Sequence, residues 1–253
     1  MPLTGPARHP FLDHALPIPM AHRGGASDWP ENTMPAFVGA TELGYTYIET
    51  DVQATSDGVL AAFHDDDLQR TCGRAGRISA LPWSDVSTAR VDGREPIPLL
   101  SDLFEAFPEH RINIDCKTDA ALQPLIDELR RHDALDRVCV GSFSHRRLRS
   151  IRREFGAKVC TSMSPQEVAL WRAGRVVRDV PAAQVPVRQG PLPLVTRWMV
   201  DLAHRNGVQV HVWTIDEAEE MFRLLEMGVD GIITDRPAVL KQVLQQRGEW
   251  AEG

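Results

Sequence analysis

The feature that most constrains this fold is a repeated alternation along 253 residues. Short apolar segments of strand length alternate with amphipathic segments of helix length, about eight times. The predicted strands are residues 18–21, 45–52, 111–116, 137–141, 157–161, 183–187, 208–213 and 231–234. The predicted helices are residues 35–43, 99–107, 120–132, 144–155, 165–173, 194–206, 216–227 and 237–246. This alternation predicts an α/β protein with a parallel sheet closed as a (β/α)8 barrel.

A doubly wound open sheet is the alternative fold. The chain contains no GxGxxG or GxxxxGK[ST] turn that would support a nucleotide-binding version of it. We expect one domain over residues 1–253, because α/β barrels often have this length. A further extended segment is predicted at residues 59–63. An insertion rich in Arg, Gly, Pro and Asp follows it at about residues 66–98, with a short helix at 84–89, and could lie over the barrel mouth.

Composition excludes several classes of protein. A formal net charge of −7 argues against a dedicated nucleic-acid binder. No apolar run is long enough to span a membrane, and residues 1–17, with four prolines, predict an irregular arm without the apolar stretch of a signal peptide. We therefore expect a cytoplasmic protein with no stable membrane association. The four cysteines include no CxxC pair, which argues against a zinc knuckle. No pattern predicts the oligomeric state.

Two carboxylates lie on the second predicted strand. Glu49 and Asp51 are two residues apart, so both side chains point to the same face of the strand. Like charges this close need a cation or a shared proton, and hard carboxylate oxygens suit Mg²⁺ or Ca²⁺. The alternative is an exposed strand edge with solvated acids.

The next barrel strand ends with a similar pair. Asp115 can supply a third oxygen ligand, and Lys117 then places a positive charge beside the metal site, where it suits a phosphate oxygen. Taken alone, the pair is also typical of a surface ion pair.

Two histidines end apolar segments within the same part of the chain. His22 and His64 can serve as general base and general acid across one site, although a lone histidine is usually only packed or exposed. Asp65 and Glu31 are candidates to orient the imidazoles. Arg23, beside His22, is a candidate phosphate contact.

Strand 208–213 carries two aromatic side chains on one face. Trp213 lies nearer the carboxyl end, where it could form an apolar wall for a small substrate. His211 lies deeper and is predicted to be a core histidine.

The order of the motifs resembles one known family. The chain reads HRGG, PENT, IETDV and HD, then NIDCK and GSFS, and finally VHVWTIDE and GVDGIITDRP. Over roughly residues 18–240 this pattern is similar to the glycerophosphodiester phosphodiesterase family. The resemblance implies a barrel enzyme that hydrolyses glycerophosphodiesters to sn-glycerol 3-phosphate and an alcohol with one divalent cation, Mg²⁺ or Ca²⁺.

The resemblance also implies roles for individual residues. His22 and His64 fall on the acid/base pair, with His22 expected as the base and His64 as the acid. Glu49, Asp51 and Asp115 fall on the metal ligands, although Asp115 is a departure because this family usually has glutamate there. The remaining matches to substrate-site positions are Arg23, Glu31, Lys117 and Trp213.

Three other functions are weighed against this one. A lysophospholipase D-type enzyme needs an apolar groove for an acyl chain; the sequence shows no concentrated apolar loop, only Trp29, Trp83 and Trp171 as loose candidates. A catalytically silent barrel that binds a phosphate ligand is suggested by Asp115. A metal-dependent amidohydrolase is set aside because the first strand lacks an HxH pair.

Overall fold

The computed structural model describes residues 8–15 and 17–251. Its strands are β1 (Ile18–Ala21), β2 (Tyr47–Ala54), β3 (Leu60–Ala62), β4 (Arg90–Val91), β5 (Glu95–Pro96), β6 (Arg111–Cys116), β7 (Val138–Gly141), β8 (Cys160–Thr161), β9 (Ala182–Pro186), β10 (Arg188–Gln189), β11 (Leu192–Pro193), β12 (Gln209–Trp213) and β13 (Gly231–Thr234). Its α-helices are α1 (Met34–Glu42), α2 (Gln69–Cys72), α3 (Trp83–Val86), α4 (Leu100–Ala106), α5 (Leu122–Arg131), α6 (His145–Phe155), α7 (Pro165–Arg172), α8 (Arg197–Arg205), α9 (Ala218–Met227) and α10 (Pro237–Arg247).

Eight parallel strands form the barrel, in the order β8-β7-β6-β2-β1-β13-β12-β9. The two ends of this order meet through a parallel bridge between Ser162 and Ala182, and Met163 N donates to Ala182 O over 2.9 Å. The predicted (β/α)8 barrel is therefore confirmed, and the open-sheet alternative is wrong. Strand β3 pairs antiparallel with β2 and lies outside the ring of eight.

Alternation along the strands produces two apolar layers. Side chains such as Met20, Tyr47 and Cys139 fill the barrel interior below the mouth. Their neighbours, such as Ile48 and Val140, pack beneath the surrounding helices. This two-sided burial is why the strands of a parallel barrel read as nearly continuous apolar runs.

The N-terminal arm is more than the irregular leader that we predict. Residues 1–7 and 16 of this segment lie outside the described residues. Phe11 and Leu12, however, lie in a short 3₁₀ turn and are buried with the barrel interior. Tyr47 Oη donates to Phe11 O over 2.5 Å, and Gln209 Nε2 donates to Leu12 O over 3.1 Å. The arm thus closes the bottom of the barrel.

The segment at residues 66–98 carries only short elements around a small core of its own, which includes Leu68, Ile78 and Val86. None of its residues lines the central cavity, so the segment packs beside the mouth rather than over it. The helix predicted at 84–89 is α3, which starts at Trp83 and ends at Val86.

Two element boundaries differ from the prediction for visible reasons. The strand predicted at 157–161 is only Cys160–Thr161, because Gly156–Lys158 forms a 3₁₀ turn that begins at a glycine with φ +60. Helix α8 starts at Arg197 rather than at residue 194 because the Thr196 side chain caps it, accepting from Met199 N over 3.3 Å.

Among the described residues, no helix combines the length and apolar character that crossing a membrane requires.

Candidate active site

The carboxyl ends of the barrel strands surround a cavity of about 630 Å³. One side carries charged groups from the ends of β1, β2, β3 and β6. The strand order places β9 opposite β2, and the wall formed by the β7, β8 and β9 ends is largely apolar. The charged side is lined by His22, Arg23, Glu49, Asp51, His64, Asp115 and Lys117. All residues predicted for catalysis, metal binding and substrate binding line this one cavity, except those predicted to orient the imidazoles.

His22 follows β1 in a tight 3₁₀ turn. Arg23, at φ 49, and Gly24, at φ 82, bend the chain there, and a Cβ on Gly24 would come within 2.9 Å of the α1 backbone. His22 Nδ1 donates to Asp235 Oδ1 over 2.7 Å. Asp235 follows β13, the strand that pairs with β1. Sequence reasoning missed Asp235, although the rule that functional residues follow barrel strands would have selected it.

His64 follows β3, where Phe63 N donates to Asp51 O over 2.9 Å and holds the segment beside the end of β2. Its Nδ1 donates to Asp65 Oδ1 over 2.6 Å, as predicted for Asp65. A carboxylate can only accept, so Nδ1 carries the hydrogen in His64 as it does in His22. In both rings Nε2 is then the nitrogen that can exchange a proton with a bound molecule.

Glu49 and Asp51 face the cavity from β2, as their spacing predicts. Glu49 Oε2 accepts from Arg23 N over 3.0 Å and lies 3.9 Å from His22 Nε2. Asp51 Oδ2 accepts from Asn32 Nδ2 over 3.0 Å and forms an ion pair with Arg23 Nε at 3.1 Å. Asn32 is a contact that sequence reasoning missed.

Lys117 links the acids of two strands. Its Nζ lies 2.8 Å from Asp51 Oδ1 and 2.6 Å from Asp115 Oδ2. Asp115 Oδ1 is buried without a hydrogen-bond partner. Among the residues that the structure describes, no three His, Cys, Asp or Glu side chains converge in an arrangement that could hold a metal ion. Asp51 and Asp115 instead form ion pairs with basic side chains, Asp51 with Arg23 and Lys117 and Asp115 with Lys117.

Burial and close charges shift the pKa values of this group. Burial, followed by repulsion from Asp51, raises the pKa of Glu49 to about 7. Burial would also raise the pKa of Asp51, but Lys117 and Arg23 outweigh it and lower that pKa. Burial lowers the pKa of His22, but Glu49 and Asp235 reverse the effect, so the pKa is raised above its ordinary value. Asp51 therefore stays ionised near neutral pH, while His22 and Glu49 lie close enough to compete for a proton.

Glu31 does not orient an imidazole, which corrects our expectation. Its Oε1 accepts from Arg23 Nη1 over 3.0 Å, and both its oxygens accept from Arg70. Asp235 takes the place at His22 that we had expected an acid such as Glu31 to fill. Arg70 itself, from the insertion, was not predicted.

Trp213 lines the cavity as predicted, and its ring lies 6.1 Å from that of Phe143. Together with it, the segments after three strands supply the apolar wall: Phe143 after β7, Met163 after β8 with Pro165 and Val168 from helix α7, and Leu194 after β9 and its β10–β11 hairpin. The sequence shows no concentrated apolar loop because each segment contributes only one to three side chains. Trp29, Trp83 and Trp171 are not part of the lining.

His211 is a core histidine, as predicted. It is fully buried, its Nε2 lies 3.1 Å from Gln209 Oε1, and burial lowers its pKa to about 3.

The fold and the cavity together define a class of protein, the (β/α)8-barrel enzymes whose polar groups gather at the carboxyl mouth of the barrel. A model of the glycerophosphoryl diester phosphodiesterase family matches residues 22–239. This chain belongs to that family and is a phosphodiesterase.

Similar proteins agree with this assignment. The chain is 43% identical over 251 residues, 95% of each chain, to a Mycobacterium tuberculosis protein named "Probable glycerophosphodiester phosphodiesterase 2". It is 30% identical to a glycerophosphodiester phosphodiesterase of Caldanaerobacter subterraneus, over 90% of this chain and 98% of that one. An Oleispira antarctica phosphodiesterase, solved in complex with the product sn-glycerol-3-phosphate, has the same fold, with a TM-score of 0.78 over 91% of this chain and 97% of that chain at 22% identity.

Proposed function

We propose that this enzyme hydrolyses glycerophosphodiesters to sn-glycerol 3-phosphate and an alcohol by acid–base catalysis with two histidines. The observation that carries the proposal is the pair of carboxylate-held imidazoles, His22 and His64, at a cavity that also holds Arg23 and Lys117. The names of the relatives and the product bound to the Oleispira antarctica structure support the same substrate class.

The oxygen donors of three acids at the cavity suit a divalent cation, Mg²⁺ or Ca²⁺, although in the structure Lys117 pairs with two of these acids and the three do not converge on one point. Glu49, Asp51 and Asp115 offer hard oxygen ligands at matched positions of β2 and β6, since Asp51 and Asp115 are register partners. The buried Oδ1 of Asp115 has no hydrogen-bond partner, and burial together with repulsion from Asp51 raises the pKa of Glu49. Both features indicate acids that a cation would stabilise. When bound, the ion would neutralise charge on a phosphate oxygen.

The chain's own residues account for the proton transfers and for the positioning of the phosphate. His22 Nε2, beside Glu49 and with a raised pKa, removes a proton from the nucleophile, either the glycerol 2-hydroxyl or a water molecule. His64, which must enter the step as the imidazolium with a hydrogen on each nitrogen, gives the proton on Nε2 to the leaving alcohol and keeps the one on Nδ1. Arg23 and Lys117 place positive charge where negative charge accumulates on the phosphate in the transition state.

Turnover is tested with glycerophosphocholine as substrate. His22→Ala and His64→Ala should each lower kcat by about a hundredfold or more, because general acid–base catalysis is worth that much. His132→Ala is the matched control, because this histidine lies at the end of α5, outside the cavity lining. A histidine variant with near-normal kcat would remove that residue from the mechanism. An inactive wild-type chain would instead favour the silent phosphate-binding barrel.

The cation is tested by removing it. EDTA should abolish turnover, and added Mg²⁺ or Ca²⁺ should restore it. A second readout is independent of turnover: the ion should raise the melting temperature of the wild-type chain, and should raise that of Asp115→Asn less, because ligand binding stabilises the folded state. A fully active chelated enzyme with no metal-dependent melting shift would rule out the cation.

A lysophospholipase D-type activity is a second candidate, favoured by the apolar wall. Met163, Val168 and Leu194 could accommodate part of an acyl chain, which a glycerophosphodiester with a small head group does not need. Lysophosphatidylcholine assayed beside glycerophosphocholine distinguishes the two. Val168→Asp should impair only hydrolysis of the lysophospholipid; equal loss on both substrates would contradict an acyl site at this wall.

The expected cytoplasmic location also stays a proposal, for which cell fractionation is the test.

A further inference from the structure

Arg70 is the point where the insertion reaches the active site. It lies in the short helix α2, next to the buried side chains of Leu68 and Thr71 that anchor this segment. Its guanidinium contacts two carboxylates at once. Nη1 and Nη2 donate to Glu31 over 2.8 and 2.6 Å, while Nε and Nη2 donate to Asp65 over 2.6 and 3.0 Å. Paired contacts of this kind fix direction as well as distance.

Each of the two carboxylates also contacts a different residue of the cavity lining. Asp65 accepts from His64 Nδ1 over 2.6 Å. Glu31 accepts from Arg23 Nη1 over 3.0 Å, and the backbone of Arg23 donates to Glu49. Arg70 therefore connects the imidazole that follows β3 with the arginine that follows β1. Both carboxylates bind the same guanidinium, although residues 31 and 70 are 39 positions apart in the chain.

Arg70 lies outside the lining of the cavity. Its side chain is about half exposed, and Arg70, Glu31 and Asp65 are all absent from the cavity lining, whereas His64 and Arg23 are part of it. A residue in this place can change the reaction only through the side chains that it holds.

We propose that Arg70 is a positioning residue, which sets His64 and Arg23 relative to each other through Asp65 and Glu31. This inference rests on the proposed function, because it concerns the geometry of that reaction. It also gives the insertion a role: its folded core carries Arg70 to a fixed place at the edge of the mouth.

The test compares kinetic constants of the full chain on glycerophosphocholine. Arg70→Gln should lower kcat about tenfold to a hundredfold, as loss of a residue that orients catalytic groups typically does. KM should change less, because a residue without substrate contact contributes little to substrate binding. Arg70→Lys should recover only part of kcat, because an ammonium keeps the positive charge but cannot donate paired hydrogen bonds to both carboxylates as the planar guanidinium does. Arg74→Gln is the matched control: Arg74 lies in the same insertion and bonds to Asp85 O and Thr88 Oγ1 instead.

Double variants show whether Arg70 acts through its two partners. If it acts through both, adding Arg70→Gln to Asp65→Asn should lower kcat by a smaller factor than Arg70→Gln does in the wild type, and the same holds in the Glu31→Gln background. Folding of every variant is checked by its melting temperature, which should stay close to that of Arg74→Gln.

Four results would overturn the inference. Turnover of Arg70→Gln equal to that of Arg74→Gln would show that Arg70 positions nothing. A raised KM with unchanged kcat would show that Arg70 contacts the substrate. Fully additive losses in the double variants would show that it acts independently of Asp65 and Glu31. An inactive wild-type chain would overturn the proposed function and this inference together, whereas the first three results leave the proposed function standing.

Discussion

At the scale of single residues, two aspartates determine what the imidazoles can do. Asp235 and Asp65 each accept from an Nδ1, so Nδ1 keeps its hydrogen in both rings and Nε2 is the reactive nitrogen of both His22 and His64. Arg70 lowers the pKa of Asp65 to about 2, opposed by burial, so this carboxylate is ionised at neutral pH. The two histidines are alike because each has an aspartate partner, although His22 follows a parallel strand of the barrel and His64 follows the antiparallel strand β3.

Asp235→Asn should reduce turnover while leaving the fold intact. An amide at this position can donate to Nδ1, which would favour the wrong tautomer of His22 and take Nε2 out of proton transfer. We expect kcat to fall by about two orders of magnitude or more, as measured by steady-state hydrolysis of glycerophosphocholine. Asp136→Asn, a change beside the N-terminal arm at the opposite end of the barrel, is the control. A kcat of Asp235→Asn within a factor of two of wild type would exclude Asp235 from the mechanism.

Spacing along one strand could be predicted, but partners distant in sequence could not. Glu49 and Asp51 share a face because side chains alternate along a strand, and the same rule placed Asp115 and Lys117 at one mouth. The rule that functional residues follow barrel strands selects Asp235 as a candidate, but its pairing with His22, 213 residues away, leaves no local pattern. Glu31 was assigned to an imidazole because nothing in the sequence shows that two arginines compete for it. The apolar wall was missed because it is assembled from the segments that follow three separate strands.

At the scale of elements, periodicity predicts the barrel, but it does not predict that the N-terminal arm is buried against the barrel bottom. An amphipathic helix such as α5 carries its own signal, with Leu125, Ile126 and Leu129 buried on one face. The arm has no periodicity, and its burial depends on a barrel bottom that exists only in the folded chain. Phe11 packs edge-on against Tyr47 there, with ring centroids 5.2 Å apart.

Phe11→Ala should destabilise the whole barrel. Phe11 is fully buried at the barrel bottom, and truncating a buried phenylalanine typically lowers the free energy of unfolding by about 3–5 kcal/mol. Urea unfolding at 25 °C measures the loss, and kcat at a temperature well below the melting point should stay near wild type. Arg8→Ala, which removes an exposed contact with Asn206 O, should cost far less. Equal stability of the two variants would show that the arm does not close the barrel.

At the scale of the whole molecule, a buried histidine links stability to pH. Burial lowers the pKa of His211 in the folded chain from 6.5 to about 3. Between these values the unfolded chain binds a proton that the folded chain does not, so acid favours unfolding. Stability from this residue is complete above pH 6.5 and falls as the pH drops, by up to about 1.4 kcal/mol per unit until the folded pKa is reached.

This pH dependence should be reduced in His211→Gln. Burial also lowers the pKa of His9 and His110, whereas the pKa values of His22 and Glu49 are raised, so the wild-type curve sums groups of both signs. The difference between the wild type and His211→Gln isolates the contribution of His211. Urea unfolding at pH 7.5, 6 and 5 measures it. Parallel curves for the two proteins would show that His211 does not carry the predicted linkage.

The pairing of β1 with β13 has a consequence for how the enzyme is made. His22 is among the first residues of the barrel to leave the ribosome, and Asp235, its partner, is among the last. A nascent chain without residues near 235 has neither a closed barrel nor an oriented His22. The contact that orients His22 therefore forms only after β13 and Asp235 have been made, and fragments that stop before β13 lack it.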